Sequence, residues 1–169
     1  MSIFNRKSPR LKGFDYASNQ YYFVTVCTKD KECIFGQPNQ LNAYGKIVDH
    51  HIRLLSHRYS EIIVDKYVVM PNHIHLIVAL KSDGVNEKNT VSLKQVMGLL
   101  KSGVTREIHI IKPLMHVWQR SFYDHIIRNQ REYEKIWLYI ESNPQNWSKD
   151  CFYENNAGKY FDIIEKGNL

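Results

Sequence analysis

At 169 residues and 43% hydrophobic content, the chain has the make-up of one folded domain with room for a real core. No apolar run approaches the roughly 18 residues that cross a bilayer, and the basic opening Met1-Ser2-Ile3-Phe4-Asn5-Arg6-Lys7 lacks the apolar stretch of a signal peptide, so neither a membrane partner nor export is expected. Net charge +6 suggests a polyanion, nucleic acid first, although a mildly basic surface also serves solubility, while Cys27, Cys33 and Cys151 show no CxxC spacing and read as reduced cytosolic thiols.

In chain order, a basic segment at 6–12 precedes a predicted buried strand at 21–28, dense in aromatic and β-branched residues. Asn42 caps a helix running to about Tyr59, with apolar residues at Ile47, Ile52, Leu54 and Leu55; His50, His51 and His57 read as surface residues. Residues 61–70 and 73–80 are two strands, or one long strand broken near Pro71-Asn72, because proline cannot donate to a central ladder and asparagine tolerates turns. The polar stretch 81–89 contains Asp83-Gly84 and reads as a loop.

Thr90 is the expected cap of the next helix, where Leu93, Val96, Met97, Leu100, Val104 and Ile108 keep a 3.6-residue period and Pro113 ends the run. Lys94, Lys101 and Arg106 lie off that stripe, as a solvated face or as contacts to DNA. Residues 117–127 supply a fourth strand or an ordered loop, and Asn129 with Glu132 resembles a capping box opening a last helix that ends at Asn143-Pro144. The order β-α-β-β-α-β plus a helix predicts an α+β fold, a ferredoxin-like or RRM-like antiparallel sheet with helices on one face and a C-terminal helix besides. A single domain over 1–169 is expected, with a basic N-terminal arm at 1–19 and a C-terminal tail from about 148.

Two features carry chemistry. In the run Val68-Val69-Met70-Pro71-Asn72-His73-Ile74-His75-Leu76-Ile77-Val78, His73 and His75 are two apart, so on a strand they share a face while Ile74 points the other way. Two imidazoles aimed at one point make half a divalent-metal site; a pair of satisfied core histidines would look the same. On the last helix Tyr139 and Asn143 are four apart and so one turn from each other on one face. They can present a nucleophile and an amide ligand together, or a packed ring and a helix cap. Spacing leaves both readings open.

The block 68–75, the segment Val117-Trp118-Gln119-Arg120-Ser121-Phe122-Tyr123-Asp124-His125-Ile126-Ile127-Arg128-Asn129 and the run Tyr139-Ile140-Glu141-Ser142-Asn143-Pro144 together resemble the IS200-like single-tyrosine (HUH, Y1) transposase family. Within it the chain is most similar to the REP-associated tyrosine transposase branch, through Arg10-Leu11-Lys12-Gly13-Phe14-Asp15-Tyr16 and the helix start Asn42-Ala43-Tyr44-Gly45-Lys46-Ile47. The likeness runs from Arg10 to about Trp147.

The resemblance implies that His73 and His75 are metal ligands, that Tyr139 is the nucleophile, and that Asn143 stands where insertion-sequence members carry glutamine as third ligand and the REP-associated branch carries asparagine. The implied cofactor is a divalent cation, Mg²⁺ or Mn²⁺. The implied reaction is cleavage and strand transfer on single-stranded DNA, beside a hairpin, through a 5′-phosphotyrosine. Tyr133 and Tyr123 rank below Tyr139, since neither has an Asn or Gln four residues later. The expected DNA-contacting set is Arg10, Lys12, Lys94, Lys101, Arg106, Arg120, His125 and Arg128, with His125 and Arg128 equally suited to packing. The expected location is the bacterial cytoplasm, on the nucleoid, with the active site completed within one chain or across a homodimer.

Two competing functions remain. A non-catalytic RRM-like nucleic-acid-binding module would use Tyr21, Tyr22 and Phe23 as stacking platforms. A small metallohydrolase would need further His or carboxylate ligands at set spacing beside His73 and His75.

Overall fold

A computed structural model describes residues 19–81 and 91–153. The strands β1 (Asn19–Cys27), β4 (Ile62–Met70), β5 (His73–Lys81) and β6 (Tyr123–Ile127) form one antiparallel sheet in the order β4-β5-β1-β6, and β2 (Gly36–Gln37) with β3 (Gln40–Leu41) makes a small separate hairpin. The helices are α1 (Ala43–Arg58), α2 (Leu93–Ile111) and α3 (Gln130–Ser142). This is the expected α+β, ferredoxin-like architecture, with β1 and β5 central.

The sheet is covered on both sides, which is why its central strands read as unbroken apolar runs. On one face Val24, Val26, Ile74, Leu76 and Val78 pack against Val48, Ile52, Val96, Leu100 and Val104 of α1 and α2. On the other, Tyr21, Phe23, Ile77 and Ala79 pack against Tyr133, Ile136 and Ile140 of α3. The buried positions of Tyr21 and Phe23 remove them as an RRM-like stacking platform, since α3 occupies the face where bases would lie.

Strand β4 changes face partway along. Its register against β5 shifts between Val64 and Lys66, leaving Asp65 as the extra residue of a bulge. Ile62 and Val64 therefore face α1, as do Tyr67 and Val69 beyond the bulge, whereas Val68 turns to α3. Asp65 accepts a hydrogen bond from the Tyr133 hydroxyl, and Lys66 pairs with Glu141 while lying 4.0 Å from the centre of the Trp137 ring. These contacts fix α3 across the sheet.

Local capping follows the sequence in two helices of three. The Asn42 side chain accepts from the Gly45 N–H at 3.0 Å, and only glycine fits at 45, because a Cβ there would lie 2.2 Å from the Phe35 carbonyl oxygen. Asn129 accepts from the Glu132 N–H at 2.9 Å. For α2, Thr90 lies outside the described residues; the cap is Ser92, which forms a capping box with Gln95. His51 also departs from expectation: it is half-buried, with Nε2 2.8 Å from Glu107 Oε2, in a slot that a Cβ at Gly103 would invade. Of residues 117–127 only the last five form a strand, and residue 118 makes an isolated bridge to Thr28.

Candidate active site

The period of two along β5 sends His73 and His75 to the α3 face and Ile74 into the opposite core. Both histidines are fully buried, with ring centres 4.5 Å apart. Asn72, in the two-residue turn before β5, donates through Nδ2 to the carbonyls of Lys31 and Phe152, so its Oδ1 receives the His73 Nδ1–H at 2.8 Å. Nε2 of His73 then carries the lone pair, and it is buried without a hydrogen-bond partner. His75 Nδ1 is held by the Thr25 hydroxyl at 2.8 Å, so its Nε2 also faces the site. These outer hydrogen bonds orient imidazoles as they do in metal centres.

Burial, with the Lys31 charge adding to it, lowers the His73 pKa to about 3. Burial and then the neighbouring His73 lower His75 well below the usual range, against the pull of Asp150. Both rings are therefore neutral at physiological pH, the state in which imidazole binds a metal.

Tyr139 comes from α3. Its ring stands edge-on to Phe23 with centres 6.1 Å apart, and its hydroxyl lies 3.3 Å from His75 Nε2 and 3.5 Å from Asp150 Oδ2. Asn143, one turn later at the helix C-cap, is buried; its Nδ2 donates to Asp150 Oδ2 at 2.7 Å, and its Oδ1 is buried without a hydrogen-bond partner. The fold thus brings His73, His75, Tyr139 and Asn143 together. It adds Asp150, which the sequence places in a C-terminal tail: the 3-10 segment Asn143–Lys149 turns the chain so that Asp150 and Phe152 lie against His73 and Cys151 packs with Cys27. His73, His75 and Asp150 offer ligand atoms all within 4.8 Å of one another.

The other tyrosines are placed differently. Tyr133 is buried with its hydroxyl donated to Asp65, whose pKa burial raises, and Tyr123 is exposed on the edge strand. Cys27 and Cys151 are buried thiols, Cys27 pushed up to about 12 and Cys151 also raised, both chiefly by desolvation. Neither is a ready nucleophile.

Of the expected DNA contacts, Arg10 and Lys12 lie outside the described residues. Lys94, Lys101, Arg106 and Arg120 line one groove of about 1210 Å³ between α2 and residues 114–122, which holds no carboxylate among its lining residues. Lys101 is committed within it: Nζ donates to the carbonyls of Gln119, Arg120 and Ser121 at 2.6, 3.0 and 3.4 Å, and burial lowers its pKa. These bonds tie α2 to the groove wall at 119–121. His125 is likewise engaged, 2.6 Å from Glu132 Oε1, while the Arg128 N–H donates to the other Glu132 oxygen and the Arg128 side chain is exposed. No helix of the described residues is long and apolar enough to cross a membrane.

A family model described as transposase IS200 like matches residues 16–143. An uncharacterised protein of Haemophilus influenzae (strain Rd) is 34% identical over 170 residues, a match spanning 89% of this chain and 94% of that protein. Among solved structures, a REP-associated tyrosine transposase bound to a REP hairpin superposes with a TM-score of 0.59 at 20% identity, over 100% of this chain and 88% of that one. A protein of Deinococcus radiodurans R1 solved as a candidate transposase gives a TM-score of 0.52 at 15% identity, over 79% and 95%. At these identities the two structures share the fold.

Proposed function

Because the chain belongs to the IS200-like transposase family, we propose that it cleaves and rejoins single-stranded DNA through a covalent phosphotyrosine at Tyr139, with a divalent cation held by His73, His75 and Asn143. One observation carries the reading: the Tyr139 hydroxyl sits 3.3 Å from Nε2 of His75, whose ring centre is 4.5 Å from that of His73, and His73 Nε2 and Asn143 Oδ1 are buried without a hydrogen-bond partner. Orphaned buried polar atoms are rare in proteins, and an unpartnered imidazole nitrogen beside a second neutral imidazole fits a cation. Mg²⁺ or Mn²⁺ there would polarise the scissile phosphate and stabilise the leaving oxygen.

The residues supply the rest. Tyrosine has an ordinary pKa of about 10 and attacks phosphodiesters poorly unless it is positioned. Phe23 and the α3 backbone hold the Tyr139 ring so that its oxygen points at the ligand nitrogens. In the proposed step Tyr139 Oη bonds to phosphorus as the bond to the 3′ oxygen breaks, and the tyrosine proton is balanced by the one the 3′ hydroxyl gains. One phosphodiester replaces another, so a second 3′ hydroxyl can reverse the step onto a new strand. That exchange is strand transfer.

The solved REP-associated relative holds a REP hairpin, and a single strand beside a hairpin is the substrate class proposed here. Lys94, Arg106 and Arg120 on the groove rim would take its phosphates. All four active-site groups come from one chain, which supports a site completed without a second copy. A bacterial cytoplasmic location follows from the same reading. Incubation with labelled single-stranded DNA and Mn²⁺ should yield a denaturation-resistant adduct whose phosphate maps to the Tyr139 peptide; no adduct on any hairpin-flanked strand would overturn the proposal.

A further inference from the structure

We propose that Asp150, outside the histidine pair and the tyrosine helix, is an additional ligand of the same cation and anchors the C-terminal segment to it. The inference rests on the metal reading above and adds a residue to it.

Three observations carry it. Asp150 is buried in the site, its Oδ2 2.7 Å from Asn143 Nδ2 and 3.9 Å from His73 Nε2, the nitrogen that has no hydrogen-bond partner. Its other oxygen is already used: Oδ1 accepts the Phe152 N–H at 2.7 Å, which fixes the carboxylate plane and leaves Oδ2 directed at the histidines. The Asp150–Asn143 bond also engages the amide, committing Nδ2 to Asp150 and leaving Asn143 Oδ1 as its buried atom without a hydrogen-bond partner.

Distances are close to those a shared ion needs. Ligand atoms about 2.1 Å from a cation and at right angles are about 3 Å apart, whereas the His73, His75 and Asp150 atoms lie within 4.8 Å of one another. Drawing them in requires side-chain shifts of about an ångström and no change of fold. The resulting donors are two imidazole nitrogens, one carboxylate oxygen and one amide oxygen. That mixture favours Mn²⁺ over Mg²⁺.

The test is Mn²⁺ binding to the full chain, followed by calorimetry and by the electron paramagnetic resonance signal of free Mn²⁺. Asp150→Asn keeps the side-chain volume and the oxygen that accepts from Phe152, and replaces the oxygen that faces His73 and accepts from Asn143 with an uncharged NH2 group. We expect it to weaken Mn²⁺ at least tenfold, as His73→Ala also should. Anomalous diffraction from Mn²⁺-soaked wild-type crystals needs no variant, and should put the ion within bonding distance of Asp150 Oδ2. Unchanged Mn²⁺ affinity in D150N, or an ion bound by the histidines but beyond reach of Asp150, overturns the role of Asp150 and leaves the histidine site standing. A wild type that binds no Mn²⁺ overturns the metal site itself.

Discussion

The Tyr139 hydroxyl lies 3.3 Å from Nε2 of His75, joining the last helix to the central strand across sixty-four residues of chain. The contact sets the proposed nucleophile beside a nitrogen of the proposed metal site, and it depends on α3 packing over the sheet, held by Tyr133 on Asp65 and Lys66 on Glu141. Chemistry and docking are thus carried by the same helix.

Removing only the hydroxyl, as Tyr139→Phe, keeps the ring against Phe23. Covalent adduct should disappear and strand cleavage fall by about a thousandfold or more, while thermal stability and DNA affinity stay near wild type. Gel analysis of denatured reactions checks this. An adduct that persists would move the nucleophile to Tyr123 or Tyr133.

Cleavage and binding should separate at the histidines. His75→Ala or chelation of divalent ions should abolish cutting yet leave DNA affinity within about twofold, because affinity comes mainly from Lys and Arg neutralising phosphates. Parallel cleavage assays and gel shifts would show whether both properties fall together, which would contradict the assignment.

The groove predicts the reverse pattern. Neutralising Lys94, Arg106 or Arg120 should weaken DNA binding and lower the salt slope by about one for each phosphate that no longer meets a cation. Lys101→Met should act differently, since its ammonium is spent on three backbone carbonyls: it should destabilise residues 119–121, read as faster amide exchange there. Salt titrations that leave the slopes of all three rim variants unchanged would remove DNA from this groove.

A pH-dependent clasp joins β6 to the start of α3. Desolvation alone would raise the Glu132 carboxyl, but the Arg128 N–H and the His125 ring outweigh it and hold the pKa below its ordinary value. A depressed carboxylate stabilises the fold above its unfolded pKa and loses that contribution as pH falls through the folded value. Glu132→Gln should therefore cost roughly 1 kcal/mol near neutrality. The difference from wild type should vanish in acid. Urea denaturation across pH measures both, and a gap that persists below the carboxylate range would contradict the clasp.

Pattern along the chain places the three helices, three of the four sheet strands and the shared face of His73 and His75, because a strand repeats every two residues and a helix every 3.6 whatever lies beyond them, whereas residues 117–127 read equally as a strand or a loop. Local chemistry likewise settled Asn42 and Asn129 as caps, each reaching an N–H only three residues away. The single-tyrosine pattern, Tyr139 one turn before Asn143, was visible for the same reason.

What the sequence did not contain were meetings made by chain reversal and by packing between elements. The bulge at Asp65 shifts the face of β4 by one residue, so the Tyr133 partner cannot be counted from either end. Lys101, which its spacing offers as a solvated cation or a DNA contact, meets three carbonyls that only the fold brings to it. Asp150 looked like tail until the 3-10 turn after Asn143 brought it beside His73. Repeating backbone dihedrals are encoded locally, whereas a meeting of groups far apart in sequence depends on the angle at which helix, strand and turn pack, and only the folded chain sets that angle.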